Sequence, residues 1–241
     1  MIMAVKRSSS ATRMLKVFEC TAALQPIGVS ALARELGADK SAVQRDLMTL
    51  ADAGWIRAAA SGSGQWELTP HVLTLARPPH STDTLRQRAR PVLERLRTAT
   101  GETAYLTVPD GDRFVVLDAL ESPRMLRMVP PVGMVVQVEG SATARAILPY
   151  LPENEQERLL GHPVSYALRG EFTATRQRGY AVNDGDIDPS AVALAAAVFE
   201  RPQEPSGAIV LTGPSERLGP ERRIELGEML RTAAQELSNA A

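Results

Sequence analysis

Residues 30–57 read SALARELGADKSAVQRDLMTLADAGWIR, and their spacing predicts two helices joined by a tight turn. Ser30 is placed to cap the first helix, Leu32 and Leu36 fall at i,i+4 on one face, and Gly37 stands where a helix ends in a left-handed residue. Asp39 can cap the second helix. Val43, Leu47 and Leu50 give that helix an apolar stripe ending near Ala53-Gly54. Upstream, Leu15, Phe18 and Ala22 predict a helix over 12–23, behind a polar arm through residue 10. Downstream, residues 55–57 and 65–68 read as two strands around the small-residue loop 58–64. The order helix, helix, turn, helix, hairpin is that of a winged helix-turn-helix over residues 11–70, a module whose recognition helix fits the major groove of duplex DNA.

The exposed residues of the second helix carry the chemistry. With the stripe turned inward, Lys40, Ser41, Gln44 and Arg45 lie on or near the outward face of its first turns. Gln can bond adenine bidentately and Arg guanine, whereas Lys40 and Ser41 suit phosphates. Arg57, Ser61 and Ser63 belong to the hairpin, expected to lie along the adjacent DNA backbone or minor groove.

Working outward, a short helix is expected over 71–76, a break at Pro78-Pro79, and an Arg-rich helix over 83–99 with Leu85, Ala89, Val92, Leu93 and Leu96 on one face. Residues 71–100 read as connecting helices. Beyond them come strand-like runs at 104–108, 114–117, 125–129, 180–182, 193–199 and 208–212, with turn signals at Asp110-Gly111 and Pro205-Ser206-Gly207. Helices are expected over 141–151, 153–160, 172–179 and 220–238, the last with Leu226, Leu230, Ala233 and Leu237 inward. Residues 101–241 thus read as an α+β domain.

Composition bounds the function. The 241 residues are 44% hydrophobic and 23% charged, which excludes a mainly disordered chain. Cys20 is the sole cysteine, so neither an internal disulfide nor a cysteine-rich zinc site is expected. The start lacks a signal-peptide core and no run of about 18 apolar residues occurs. A cytoplasmic protein without a membrane partner is the expectation. The net charge of −1 is split: residues up to Thr100 hold 14 Lys and Arg against 8 Asp and Glu, the remainder 13 against 20. A basic front half is the composition of a polyanion-binding module, although an Arg-biased genome would also produce it.

Catalytic signals fail on spacing. The carboxylates of residues 183–188 alternate as in a calcium loop, but an EF-hand counted from Asp184 would need Gly at Pro189 and Glu at Ala195. His71, His80 and His162 lack metal-ligand spacing, residues 140–144 lack the second Gly of a nucleophile elbow, and no phosphate-binding glycine loop is present. No enzyme activity, metal or cofactor is expected, and Cys20 reads as a buried small hydrophobe.

Across nearly its whole length the sequence resembles the IclR family of bacterial transcriptional regulators. The stretch RMLKVFECTAALQPIGVSALARELGADKSAVQRDLMTLADAGWIR resembles the family's DNA-binding domain. The segments MLRMVPPVG, GSATARAIL, TRQRGYAVNDGDID and ALAAAVFE resemble its effector-domain motifs. The resemblance implies a linker helix and a GAF-like effector-binding domain, in dimers or tetramers that bind near-palindromic operators. Carried over by position, it implies an effector pocket lined by Met125, Met128, Val136, Ala142, Thr143, Asn183, Ala193, Val210 and Thr212. Members that bind small oxo-acids tend to have Asp or Ser at 183, Cys or Ser at 193 and Ser at 210. The Asn, Ala and Val found here imply an effector larger and more apolar than a two- or three-carbon acid, such as an organic or aromatic acid held partly by the amides near 141–143, or a loss of ligand control. A constitutive DNA-binding protein and an enzyme with an N-terminal targeting module remain the competing readings.

Overall fold

The computed structural model describes residues 8–60, 64–75 and 85–240. The chain divides into two compact units, residues 1–81 and 82–241.

In the first unit, α1 (Ser9–Leu24) begins earlier than the sequence suggests, because Ser8 Oγ accepts a hydrogen bond from Ala11 N–H at 3.3 Å. Its inward face is also rotated from the expected one. Val17 and Thr21 are buried while Leu15 is 61% exposed. There follow β1 (Ile27–Gly28), α2 (Val29–Glu35), α3 (Lys40–Asp52), β2 (Ile56–Ala58), β3 (Gln65–Leu68) and α4 (His71–Leu75). Strand β1 is absent from the sequence reading. Its pairing of Ile27 with Trp66 holds Gly28 extended, so Gly28 rather than Ser30 takes the cap position of α2. The sheet order is β1-β3-β2, all antiparallel. The core joins Val17, Leu32, Val43, Leu47, Leu50 and Ile56, flanked by Phe18, Trp55 and Trp66. Cys20 is half-buried at its margin, where burial pushes the thiol pKa up.

The second unit opens with α5 (Leu85–Thr100), then β4 (Thr103–Asp110), β5 (Arg113–Leu120), β6 (Val135–Val136), α6 (Ala142–Ile147), α7 (Glu153–Leu160), α8 (Tyr166–Arg178), β7 (Ala181–Asp184), β8 (Ala191–Arg201), β9 (Glu204–Pro214) and α9 (Pro220–Asn239). The strands form one antiparallel sheet in the order β6-β5-β4-β9-β8-β7. Period-two alternation gives it two inner faces. Ala104, Leu106, Val192, Leu194, Ile209 and Leu211 pack with α5 and α9, while Tyr105, Phe114, Ala195, Ala208 and Val210 pack toward α6 and α8. No described helix is long and apolar enough to cross a membrane.

Several sequence expectations are corrected. Residues 125–129 are not a strand: Leu126 C=O accepts from Arg217 Nη1 and Met128 C=O from Thr103 Oγ1, side-chain partners in place of a sheet ladder. Pro205-Ser206-Gly207 is not the turn. The chain reverses at 202–203, with Gln203 at φ 64, and Gly207 lies inside β9, where a Cβ would stand 2.5 Å from Thr107 O of the neighbouring strand. The strand expected at 180–182 runs over Ala181–Asp184, and the helix expected from 172 begins at Tyr166 because Ser165 caps it.

Helix α5 lies wholly in the second unit, with Ala89, Val92, Leu93 and Leu96 in its core. Its arginines meet acids of that unit: Arg90 on Asp118 at 2.8 Å, Arg95 on Glu236 at 2.6 Å, and Arg88 on Glu200. The charge contrast is therefore smaller than a division after Thr100 suggests. Residues 1–81 hold nine Lys and Arg against six Asp and Glu.

Gly227 of α9 marks the closest packing on the α5 and α9 side of the sheet, where a Cβ would stand 2.3 Å from the Tyr180 ring. Gly227→Ala is expected to cost about 1–3 kcal/mol by overpacking. A urea midpoint equal to wild type would contradict this packing.

Candidate DNA-binding face and ligand cavity

The posture of α3 rests on two carboxylates. Asp39 Oδ1 accepts from Ala42 N–H at 2.9 Å and from Ser41 Oγ at 2.5 Å, closing the first turn. Farther along, buried Asp46 takes Arg13 of α1 on both oxygens, at 2.7 and 3.2 Å, which fixes the rotation of α3 about its axis. With Val43, Leu47 and Leu50 inward, Lys40, Ser41 and Arg45 are exposed and Gln44 is half-buried. Arg45 Nη1 donates to Ser41 Oγ at 3.3 Å. Lys40 and Gln44 share a groove with Ser30 and Arg34 of α2 and Gln65 of β3.

Those last three residues are missing from the sequence-derived set. They become visible only once β3 is known to pair with β1 beside the start of α2. Arg57 lies on β2 directly opposite Glu67 of β3, which accepts from its Nε at 2.8 Å. Ser61 and Ser63 lie outside the described residues.

In the second unit, a cavity of about 350 Å³ opens on the α6 side of the sheet. Its origin is legible in β8. Val192, Leu194, Ala196 and Val198 turn toward α5 and α9, leaving the small side chains of Ala191, Ala193, Ala195 and Ala197 on the other face. Ala191 and Ala193 form part of the wall, with Tyr105 and Thr212 of the adjoining strands. Ser141 and Ala142 close one end, Met128, Val129, Pro130 and Met134 another, and Asn183, Ile187 and Asp188 a third.

Of the nine pocket residues implied by family resemblance, Met128, Val136, Ala142, Asn183, Ala193 and Thr212 line this cavity. Met125 does not, being 98% exposed. Thr143 and Val210 are buried on the same side of the sheet but do not line the cavity, Val210 within the α6-side core and Thr143 Oγ1 3.3 Å from Thr107 Oγ1. Tyr105, Met134, Gln137 and Asp188 are lining residues that sequence reasoning missed, and Ser141 lines the cavity at the helix start expected to hold an acid. For Tyr105 a signal existed, since it alternates with the core residues Ala104 and Leu106 on β4.

The cavity's hydrogen-bonding character follows from which groups are already used. Asn183 Oδ1 accepts from Asp186 N–H at 2.9 Å, which leaves the amide NH₂ donors. Thr212 Oγ1 donates to Val192 C=O at 3.0 Å, which leaves an acceptor lone pair. Ser141 Oγ serves as the cap of α6, accepting from Ala144 N–H at 3.1 Å. Burial pushes the Tyr105 phenol above its ordinary range, so it stays a neutral O–H donor, and no described residue accepts from it.

The acidic run beside the cavity is a turn pinned by arginines. Asp186 pairs with Arg145 at 2.8 Å, Asp184 Oδ1 accepts from Arg223 Nη2 at 2.7 Å, and Asp188 caps Ser190. Among the described residues no group of three His, Cys, Asp or Glu converges as a metal site would require. His71 lies against Trp55, with ring centres 4.4 Å apart and the planes tilted by 54°, while His80 lies outside the described residues.

The Asp39 cap gives a pH signature. Hydrogen bonds from Ser41 and Ala42 hold its carboxyl below the ordinary 3.8. A carboxylate with a lowered folded-state pKa contributes stability that is present above the unfolded value and lost as pH falls through the folded one. The melting-temperature gap between wild type and Asp39→Ala is expected to be constant near neutrality and to shrink below about pH 4. A gap that persists unchanged into strong acid would contradict the cap.

Comparison with known proteins accounts for both units. Residues 10–59 match the IclR helix-turn-helix domain, and residues 80–239 match the bacterial transcriptional regulator IclR C-terminal domain. The chain is 28% identical over 245 residues to the transcriptional repressor IclR of Escherichia coli K12, covering 96% of this chain and 89% of that protein. It is 30% identical over 176 residues to the HTH-type transcriptional repressor AllR of Salmonella typhimurium, covering 67% of this chain and 63% of the repressor. The crystal structure of an IclR transcriptional regulator from Alicyclobacillus acidocaldarius superposes with a TM-score of 0.82 at 21% identity, over 97% of this chain and 99% of that one, a likeness of fold. On these matches, spanning both the helix-turn-helix and the cavity-bearing domain, the chain belongs to the IclR family of bacterial transcriptional regulators.

Proposed function

We propose that this regulator reads operator DNA through Gln44 and Arg45, anchors on phosphates through Lys40 and Ser41, and is controlled by an organic acid held in the cavity of its second unit. The observation that carries the reading is a hollow whose open donors are the Tyr105 hydroxyl and the Asn183 amide. Two neutral donors on a lining that also carries Met128, Val129, Pro130, Met134 and Val136 suit the carboxylate or carbonyl of a ligand with an apolar body. They also supply the polar contacts that Ala193 and Val210 lack, which favours an effector-controlled protein over a constitutive one.

The regulator acts in the cytoplasm as a symmetric homo-oligomer, a dimer or tetramer, so that two copies of α3 meet half-sites about one helical turn apart. The β2–β3 hairpin follows the adjacent backbone or minor groove with Arg57, and Ser61 and Ser63 are assigned to the same contact. A ligand changes DNA affinity only by preferring one of two arrangements of the copies. A turnover role is disfavoured by the cavity's chemistry: its described lining contains no nucleophile hydrogen-bonded to a base.

Gln44→Ala and Arg45→Ala are each expected to lower discrimination between operator and mismatched DNA by about 1–3 kcal/mol. Lys40→Ala should weaken operator and random DNA alike and reduce the salt slope by about one. Fluorescence anisotropy over a salt series separates the two, and unchanged discrimination in both base-reading variants would show that another face reads the sequence.

A panel of aromatic and medium-chain carboxylic acids is expected to raise the melting temperature of the wild-type protein, because binding to the native state alone stabilises it. Ala193→Phe, which puts a ring from the wall into the ligand's space, should fold and show no shift. A shift of wild-type size in the variant would place the effector elsewhere.

A further inference from the structure

On the far side of the cavity wall lies a larger cleft of about 560 Å³. Gln137 and Ile187 line both spaces. Each is exposed, Ile187 to 46%, and neither belongs to a core cluster, so the wall they form is a pair of loosely held side chains. Gly140 passes close behind it with φ 78, its Cβ position only 3.4 Å from Asp186 Cβ and 3.5 Å from Ile187 Cγ1.

The two spaces differ in chemistry. Beyond the partition the floor is apolar, with Leu148, Leu160, Leu168 and Phe172, but the rim carries Glu139, Glu171 and Asp186 against Arg145 and His162. Asp186 is committed to Arg145 at 2.8 Å, and that guanidinium also donates to Val182 C=O at 2.9 Å. Glu171 meets its nearest cation, Arg178, only at 4.0 Å, and Glu139 lies 3.6 Å from His162 with its side chain 82% exposed. With Arg178 counted, three carboxylates face two arginines and His162, so the rim is net negative while the imidazole is neutral. Of the three acids, Glu139 and Glu171 are the more loosely paired.

We infer that the cleft is a second compartment of the effector site, separated from the inner cavity by Gln137 and Ile187, and that it takes the cationic end of an elongated effector. This rests on the reading that the inner cavity binds the effector's acid group. The effector class is then an amino acid whose amine and carboxylate stand at opposite ends of an apolar chain. Its carboxylate lies at Tyr105 and Asn183, its chain displaces the exposed Gln137 and Ile187 side chains, and its ammonium lies at Glu139 and Glu171.

The test is a calorimetric titration of the full-length protein with straight-chain ω-amino acids of six to ten carbons, and with the monocarboxylic and dicarboxylic acids of matching length. At one chain length in the series the amino acid should bind about tenfold more tightly than the monoacid, with the diacid weakest. That preference should shrink as salt is added. The double variant Glu139→Gln, Glu171→Gln, altered only at the rim, should bind the monoacid as wild type does and lose the amine preference. Equal affinities across the three series, or an amine preference that survives in the double variant, overturn the second compartment while leaving the inner effector site standing. Absence of binding by every series overturns both.

Discussion

Strand β8 imposes the condition on which the second unit depends. Its alternation sets Val192, Leu194, Ala196 and Val198 against α5 and α9, and hands the opposite face to alanines. A sheet buried on both sides must be packed on both or it leaves a void, and voids between well-packed layers destabilise. Here the face toward α5 and α9 is filled closely enough that Gly227 admits no Cβ. The other face retains a hollow walled by Ala191, Ala193, Tyr105 and Thr212. Larger side chains at 191 and 193 would narrow such a space, yet both positions are alanine. A hollow provided with unpaired donors and walled by small residues has the construction of a ligand site.

In the first unit the corresponding constraint is electrostatic. Asp46 is buried and would be costly alone, and the bidentate contact from Arg13 both offsets that cost and orients α3 against α1. Because the apolar stripe and Asp46 occupy the inner side, the outward side is left to Lys40, Ser41 and Arg45. The modest positive charge of this unit suits a protein that must leave nonspecific DNA in order to find a particular sequence. The larger apparent excess came from α5, where Arg88, Arg90 and Arg95 meet acids of the second unit.

Local signals carried much of this into the sequence. The Asp39 cap, the Val43–Leu47–Leu50 stripe and the inward residues of α5 and α9 follow from spacing and chemistry within one helix. What could not be read was set by partners distant in sequence. The apolar run at 125–129 has a strand's composition but finds Arg217 and Thr103 where a ladder would be. Pro205-Ser206-Gly207 has a turn's composition, yet Gly207 serves the close approach of β4. The alternation of β4 gives the face that Tyr105 takes, but its neighbour on that face, Val210 of β9, is set by a register that no local pattern encodes. Most of the cavity residues named in advance came from resemblance, and that guide missed the irregular segment, where Met125 turns out to solvent.

The central claim is that this chain selects DNA by sequence. Selection of bound duplexes from a random pool by the full-length protein tests it without presupposing where the operator lies. The account predicts convergence on a two-fold symmetric motif with half-sites about one turn apart, bound at least about 10³ times more tightly than random DNA at physiological salt. A pool that stays random, with every duplex bound equally, would contradict it.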